Sequence, residues 1–321
     1  MKISKIGCYA FALVAVIGCK GGGGGGGGWK AAVGDGGTIV ETFDDASWDV
    51  HKVSDHNLRA VSCINNEIGW AAGSKGFIGH TIDGGWSWPA QASGVDAELY
   101  AISFAYDADK HEVGIAAGEN GTLLTTRDGG ASWLKVALPE LTSVTWRGTA
   151  ITQGATLLLA VGTDGSVARS SDQGQSFEHS AIDGATTLTD VALDAAGNLA
   201  LAVDSAGSIW RSRDAGKSFT LEHSASRALE SVSLGRSGAL GSATGAGGSM
   251  LLRSKNGAWT ELAPVSASDL HATLVGPDED RVYFAGDGGT LVETTALGST
   301  TGVEQTGTLA ALRGLEDLEA R

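Results

Sequence analysis

One short pattern recurs four times along the chain at nearly constant spacing, and it constrains the fold more than any other feature. The pattern is Ser/Thr-x-Asp-x-Gly-x-Ser-aromatic, here called the Asp turn. Its aspartates, 45, 44 and 42 residues apart, are Asp83, Asp128, Asp172 and Asp214. A period of about 40–45 residues indicates a stacked array of one supersecondary unit. The chain is therefore predicted to be a repeat protein.

Each position of the Asp turn has a structural task. The glycine permits a positive φ, and the aspartate carboxylate can accept hydrogen bonds from the backbone of the same turn. The closing aromatic begins the next strand and is predicted to pack between neighbouring sheets. These aromatics are Trp88, Trp133, Phe177 and Phe219. We interpret the four aspartates as structural rather than catalytic or metal-binding.

Two further signatures divide each repeat into strands. A small apolar strand followed by Gly-x-x-Gly occurs six times, and in a seventh copy Asp204 replaces the first glycine; the final glycines are 39 to 45 residues apart. About 20 residues earlier lies a strand that opens Leu-x-x-apolar. It begins at Leu58, Leu99, Leu188 and Leu229, with weaker versions at Val144 and Leu270. Each repeat is thus predicted to be a four-stranded blade, with strands a to d in chain order.

Seven such repeats predict an all-β, seven-bladed β-propeller over residues 29–313. The first repeat lacks a Leu-x-x-apolar strand, because a glycine run precedes it. Residues 309–312 supply the missing motif, Leu-Ala-Ala-Leu, at the other end of the chain. We therefore expect a C-terminal strand to complete the first blade and close the ring, since closure removes the exposed strand edge. Residues 314–321 form a short acidic tail.

The N-terminal residues read as a targeting segment. Lys2 and Lys5 precede an apolar stretch, and residues 16–19 read Val-Ile-Gly-Cys. This segment resembles bacterial lipoprotein signals, which implies cleavage of residues 1–18 and acylation of Cys19. An ordinary signal peptide is the alternative. The unbroken glycine run 21–28 is typical of a flexible tether, so residues 19–28 would link the lipid to the domain. We expect an exported protein anchored to the bacterial envelope, on its periplasmic or surface side.

Charge and cysteine content exclude several functions. The formal net charge is −15, and removal of residues 1–18 would leave 20 basic and 37 acidic residues. This balance argues against charge-driven binding of nucleic acid or anionic lipid. Cys63 would be the only cysteine in the folded domain, so neither a disulfide nor a cysteine metal site is expected. No cofactor or metal is predicted, and we expect a monomer.

The Gly-x-x-Gly loops join strands b and c and must all lie on one face of the ring, because strands alternate in direction. Acidic residues in these loops are Asp35, Glu119, Asp164, Asp204 and Asp287. A ring of like charge around a concavity can attract a basic segment of a protein or peptide. The alternative is that these residues only keep polar turns solvated.

The repeats resemble those of the BNR/Asp-box propellers, a superfamily with sialidases, other glycosidases and sorting receptors. Residues 69–85 are more similar to the repeats of the photosystem II stability/assembly factor family and its relatives in non-photosynthetic bacteria. The resemblance extends over nearly all of residues 29–313 and implies a propeller. It is much more specific for fold than for function.

The resemblance leaves three functions open. A sialidase-like site would need an arginine cluster and a Tyr–Glu pair, but Arg59 and Arg147 occupy equivalent repeat positions and no tyrosine lies in a site motif. We therefore predict a non-catalytic, lipid-anchored propeller that binds a protein or peptide and serves assembly in the envelope. A divergent glycan hydrolase is one alternative. A true photosystem II assembly factor, in a phototrophic host, is the other.

Overall fold

The structure is a computed structural model that describes residues 13–18, 30–42, 49–65, 67–264, 267–276, 279–295, 300–305 and 315–317. Of residues 13–18, 30–32, 40–42, 49, 291, 300–305 and 315–317 it describes the backbone only. The strands form seven separate sheets, which are antiparallel except for one parallel pair in the first blade. The helical elements of the described residues are single 3₁₀ turns. The predicted all-β propeller with seven blades is confirmed.

Six blades have the predicted order a-b-c-d along the chain. Blade 2 comprises Leu58–Cys63, Gly69–Gly73, Ile78–Thr81 and Ala90–Gln91. Blade 3 comprises Leu99–Tyr106, Glu112–Gly118, Leu123–Thr126 and Leu134–Lys135. Blade 4 comprises Trp146–Ile151, Leu158–Gly162, Ser166–Ser170 and Glu178–Ala181. Blade 5 comprises Leu188–Leu193, Ala200–Asp204, Ser208–Ser212 and Thr220–Ser224. Blade 6 comprises Leu229–Leu234, Gly241–Gly245, Ser249–Arg253 and Trp259–Glu261. Blade 7 comprises Leu270–Val275, Arg281–Gly286, Thr290–Thr295 and Thr300–Gln305.

The first blade is built from both ends of the chain. Its strands b, c and d are Lys30–Gly34, Thr38–Thr42 and Asp49–Lys52. Leu13–Gly18 pairs antiparallel with Lys30–Gly34, and Leu315–Asp317 pairs parallel with Leu13–Gly18 at the sheet edge. A C-terminal strand therefore joins the first blade, but it is separated from strand b by a segment that we assigned to the signal peptide.

Three expectations about the chain ends lie outside the described residues: acylation of Cys19, the glycine tether 21–28 and a closing strand at 309–312. The direction of Leu315–Asp317 nevertheless matches that of a strand a, because it runs parallel to Leu13–Gly18. Strand Leu13–Gly18 cannot persist in a chain that has been cleaved before Cys19.

Strand alternation gives the ring two distinct faces. The mouth face carries the b–c and d–a loops, and the Asp-turn face carries the a–b and c–d loops. Five of the b–c loops are 3₁₀ turns: Asp35–Gly37, Ser74–Gly76, Thr163–Gly165, Ala246–Gly248 and Asp287–Gly289. The last glycine of each motif has a positive φ, and at Gly76 a Cβ atom would lie 2.0 Å from the Val95 carbonyl oxygen. Only glycine allows the d–a loop to approach this closely.

The core lies between and within the blades. The residue two positions after each final glycine is apolar in the sequence, and Ile39, Ile78, Leu123, Val167 and Ile209 are all fully buried. The leucines that open strand a are equally buried. Blade 4 is an exception, because its strand a begins at Trp146 rather than at Val144. Trp146 takes the place of the leucine and is itself completely buried.

Inner strands of neighbouring blades are also joined by hydrogen bonds. The Phe104 amide of blade 3 donates to Ser62 Oγ of blade 2 at 3.0 Å. The Val275 amide of blade 7 donates to Ser233 Oγ of blade 6 at 3.0 Å. Each bond satisfies a backbone donor at the edge of an inner strand, which stabilises the ring where one sheet ends and the next begins.

The Asp turns have the predicted local geometry. In blade 2, the Ser87 amide donates to Asp83 Oδ1 at 3.0 Å, and the Ser87 hydroxyl donates to Asp83 Oδ2 at 2.6 Å. Thr81 Oγ1 donates to Asp83 Oδ1 and accepts from the Gly85 amide. The same contacts recur at Asp128, Asp172 and Asp214.

The closing aromatics pack as predicted, to different depths. Trp88 is 6% exposed, and its indole N–H donates to the Gly85 carbonyl at 2.9 Å. Trp133, Phe177 and Phe219 are partly exposed and pack against the clusters of buried side chains between blades. The Asp turn is therefore a self-contained structural unit, attached to the core by its last residue.

Candidate functional site

The mouth of the propeller contains a ring of side chains that share one structural irregularity. In blades 2 to 7, strand a pairs with strand b at its first residue, then skips one residue before pairing resumes. The skipped residues, here called the bulge ring, are Arg59, Tyr100, Arg147, Thr189, Glu230 and His271. A β-bulge leaves its extra residue outside the ladder and redirects the side chain. Six blades thus each contribute one residue, all of them polar or aromatic, to the start of the inner strands.

One side of the bulge ring is cationic and aromatic. The Arg147 guanidinium lies 4.5 Å from the centroid of the Tyr100 ring. The Tyr100 hydroxyl donates to Glu119 Oε1 at 2.9 Å. Burial and the neighbouring Glu119 carboxylate raise the pKa of Tyr100, so its hydroxyl stays protonated as a donor. Arg147 is exposed, so the guanidinium held over the Tyr100 ring is accessible to a ligand.

Arg59 occupies the next position and is held by two carboxylates from different blades. Its Nε donates to Glu98 Oε1 at 2.6 Å, and its NH1 group donates to Asp35 Oδ1 at 3.1 Å. About a quarter of the Arg59 side chain remains exposed (24%). These contacts fix the guanidinium and neutralise much of its charge locally.

The opposite side of the ring is acidic around a buried histidine. His271 Nδ1 contacts Glu230 Oε2 at 2.5 Å, and its Nε2 contacts Asp287 Oδ1 at 2.9 Å. Both contacts are hydrogen bonds only when both ring nitrogens carry protons. The side chain of His271 is 6% exposed, whereas those of Glu230 and Asp287 are 37% and 45% exposed. The histidine therefore joins blades 6 and 7 and presents two carboxylates to the mouth.

The structure places four of the five predicted rim acids on the mouth with some exposure: Asp35, Glu119, Asp164 and Asp287. Asp164 is exposed, whereas the other three are partly buried; it occupies the centre of its loop at a φ of 57°. The other three bond to members of the bulge ring, so they also position ring side chains. Their predicted role as a rim that binds a ligand stays a prediction.

Asp204 differs from the prediction completely. It is 0% exposed, and its carboxylate accepts hydrogen bonds from the Ala206 and Ser208 amides and from the Trp210 indole at 3.0 Å. In the other repeats a glycine stands here, and the aspartate instead stabilises its own b–c loop from within. Asp204 is therefore a structural residue and not part of the rim surface.

Sequence reasoning missed most of the bulge ring. It noted Arg59 and Arg147 as equivalent, but not Tyr100, Thr189, Glu230 or His271. The available signal was the second position of the Leu-x-x-apolar motif, which is polar or aromatic in each of these strands. Periodicity alone assigns such a residue to one sheet face, and the bulge that redirects it depends on pairing with strand b.

Within the described residues, one group of potential metal-ligating side chains lies elsewhere, in the a–b turn of blade 3. It comprises Asp107, Asp109 and His111. Asp107 accepts hydrogen bonds from the Asp109 and His111 amides and contacts His111 Nδ1 at 3.0 Å. These bonds form the turn itself and account for the grouping. No helix in the described ranges is long and apolar enough to cross a membrane.

Comparison with known families agrees with the propeller. The profile described as photosynthesis system II assembly factor YCF48 matches residues 40–311, most of the chain. The chain belongs to this YCF48-like family. A comparison with curated proteins found no match.

Two solved structures of the family are similar in fold. The structure described as YCF48 bound to D1 peptide has a TM-score of 0.64 and 18% identity, over 86% of this chain and 90% of that chain. YCF48 from Cyanidioschyzon merolae has a TM-score of 0.59 and 17% identity, over 77% of this chain and 84% of that chain. At this identity the similarity establishes the fold.

Proposed function

We propose that this protein is a non-catalytic assembly factor that binds a peptide segment of a partner protein at the mouth of the propeller. The observation that carries the proposal is the bulge ring, in which six blades each redirect one polar or aromatic side chain to the same face. Functional side chains often stand at bulges and at loops held by a rigid scaffold. Membership of the YCF48-like family supports the proposal, since one YCF48 structure contains a peptide.

The distribution of charge suits an extended polypeptide. One side of the ring offers Arg147 stacked on Tyr100, and the other offers the Glu230 and Asp287 carboxylates around His271. A peptide crossing the mouth can therefore place an acidic or carbonyl group at the first side and a basic group at the second. Because the polar groups belong to the starts of strands, they are positioned before binding, which reduces the entropy lost on association.

The rim acids add negative charge around the mouth and favour a partner segment with basic residues. Asp164 is the clearest contributor, because it is exposed and lies in a turn. Replacement by Asn should leave stability nearly unchanged, since exposed charges contribute little. It should slow association and reduce its salt dependence, because charge steering weakens as ionic strength rises.

The experiment uses fluorescently labelled peptides and the full chain. A D1 peptide and a set of peptides from envelope proteins of the host serve as probes, measured by fluorescence anisotropy. For any peptide that binds, Arg147→Ala and Glu230→Gln should each weaken binding about tenfold or more, equivalent to about 1.4 kcal/mol. The matched control is Arg213→Ala, which removes an exposed arginine on the Asp-turn face. Equal effects of all three changes would contradict binding at the mouth.

The absence of catalysis has a separate test. Purified protein should not turn over sialosides or common chromogenic glycosides. A sialidase-like site needs a cluster of arginines for the substrate carboxylate, whereas the bulge ring contains two arginines, and one of them, Arg59, is already bonded to Glu98 and Asp35. Turnover abolished by one Asp or Glu substitution would support the glycan-hydrolase alternative instead.

We further propose that Cys19 is acylated and that the protein is held at the bacterial envelope. The support is the sequence of residues 16–28, with its lipobox followed by a glycine run. Intact mass measurement of the membrane-extracted protein tests this: it should start at Cys19 and carry acyl chains. A mass equal to that of the unprocessed chain would contradict cleavage and would mean that Leu13–Gly18 remains in the first blade.

Photosystem II assembly is the second candidate, favoured by the D1 peptide in the similar YCF48 structure. It predicts that the D1 peptide binds more tightly than any other envelope peptide and that the host is phototrophic. Weak D1 binding, alongside strong binding of another host peptide, would favour the general assembly role.

A further inference from the structure

The Asp turn of blade 2 differs from its three equivalents in the surface it presents. Two of its three variable positions carry Ile82 and Trp86, which are 68% and 79% exposed. The equivalent pairs are Arg127 and Ala131 in blade 3, Ser171 and Gln175 in blade 4, and Arg213 and Lys217 in blade 5. A polar or small pair is thus the rule, and blade 2 alone among the four places two large apolar side chains on the turn.

The exposure of Trp86 is unusual for this chain. Every other described tryptophan is buried or only partly exposed, as at Trp88 (6%) and Trp210 (8%). Trp86 makes none of the contacts that hold the turn together, because these belong to the Thr81, Asp83 and Ser87 side chains. The fold does not require an indole at this position, so its exposed area is available to something outside the chain.

The described residues that flank the anchor region in sequence lie on the same face. Strand b of blade 1 begins at Lys30, and strand b runs from the Asp-turn face to the mouth. Gly18 ends its strand beside the start of this strand, since Leu13 pairs with Gly34 and Val16 with Ala32. Gly18 and Lys30, the described residues that flank the anchor region in sequence, therefore both lie at the Asp-turn end of blade 1. Blade 2, which carries Ile82 and Trp86, is the next blade in the ring.

We propose that Ile82 and Trp86 form a lipid-contact site that inserts into the membrane surface beside the anchored Cys19. The inference rests on the anchor in the proposed function. A flexible tether of ten residues has a root-mean-square span of roughly 17 Å, which keeps the Asp-turn face of blades 1 and 2 close to the bilayer. Tryptophan is favoured at the membrane interface, where its apolar ring is buried and its N–H meets the headgroups.

A membrane fits this pair better than a protein partner does. Insertion needs no complementary pocket, and tethering converts a weak contact into an effectively intramolecular one. The consequence for function is orientation: with the Asp-turn face on the bilayer, the bulge ring faces away from the membrane and is accessible to a partner.

The test uses the full chain with Cys8→Ser, coupled through Cys19 to a maleimide lipid in phosphatidylcholine vesicles. Cys63 is buried and does not compete for the reagent. Coupling supplies the tether without relying on cellular acylation, so failure of the acylation prediction leaves this result interpretable. Tryptophan fluorescence is then compared in vesicles with and without brominated acyl chains, which quench only inserted indoles.

Brominated lipid should quench the wild-type protein, and Trp86→Phe should remove at least about half of that quenching, because Trp86 is the inserted indole. Ile82→Arg should reduce quenching as well, since it places a charge beside the indole. The matched control adds Lys217→Trp to the Trp86→Phe chain, giving blade 5 the exposed indole on the far side of the ring. The proposal would be overturned if the blade 5 indole were quenched as strongly as Trp86, or if Trp86 were not quenched at all. The exposed pair of blade 2 would then be assigned to binding a protein partner.

Discussion

Asp190 makes the stability of this propeller depend on pH in an unusual direction. It lies beside Thr189 of the bulge ring, and its carboxylate accepts hydrogen bonds from the Val191 amide, the Val232 amide and the Ser231 hydroxyl at 2.8 to 3.0 Å. Burial nevertheless outweighs these three hydrogen bonds and raises the pKa of Asp190 to about 6. The folded state therefore holds a proton on this group that the unfolded chain, with a pKa near 3.8, has already released.

The magnitude follows from linkage. Because the folded pKa is raised, this group's favourable contribution is complete below about pH 4 and is lost as pH rises to about 6. A shift of about two units at about 1.36 kcal/mol each gives a loss of about 3 kcal/mol in the free energy of unfolding. This value is an upper limit, since Asp190 keeps some exposure to solvent. Replacement by Asn removes the titration and should remove the corresponding slope.

The assay is urea unfolding of wild type and Asp190→Asn at intervals between about pH 4 and pH 7.5, a range chosen from the linked pKa values. The difference in unfolding free energy between the two proteins should change by up to about 3 kcal/mol across this range, with the variant gaining relative stability at high pH. Asp214→Asn is the control of opposite sign. Partial burial raises the pKa of Asp214, but hydrogen bonds from Ser218 and Ser212 outweigh it and lower the pKa to about 2. Its titration therefore lies below the measured range.

A difference between wild type and Asp190→Asn that stays constant with pH would refute the reasoning. It would mean that the three hydrogen bonds stabilise the carboxylate enough to cancel the effect of burial. A slope of the same size in Asp214→Asn would be equally damaging, because it would assign the pH dependence to groups other than Asp190.

Three other predictions concern the repeat and the chain ends. Trp88→Ala should lower the free energy of unfolding by about 3–5 kcal/mol because the ring is buried. Asp83→Ala removes exposed local hydrogen bonds and should lower it by about 1 kcal/mol. Equal losses for the two variants in denaturant unfolding would contradict this ranking. Cys19→Ala should move the protein from the membrane to the soluble fraction, and continued membrane association would refute the lipid anchor. Deletion of residues 309–321 should lower the melting temperature by exposing the inner edge of blade 1, and unchanged melting would show that the ring closes without them.

The sequence alone determined the architecture, because the interactions that define a blade are local. Asp83 bonds within its own turn, Ile78 follows its glycine by two residues, and both patterns recur at a fixed period. Local hydrogen bonding and burial require the same residue types at the same positions of each repeat, so the recurrence of those residues reveals the blades. The family resemblance followed from the same residues.

The tertiary structure decided which side chains meet at the mouth. Whether His271 lies between Glu230 and Asp287 depends on the spacing of two blades and on a bulge in a strand whose partner is distant in sequence. Asp204 replaces a glycine of the repeat and was grouped with the rim acids, yet it is buried and accepts a hydrogen bond from the Trp210 indole N–H. The polar contacts between blades at the mouth cannot be read from the repeat period, since each pair of blades forms them with different residues. The fold could therefore be predicted from composition and spacing, whereas the site required the ring to be assembled.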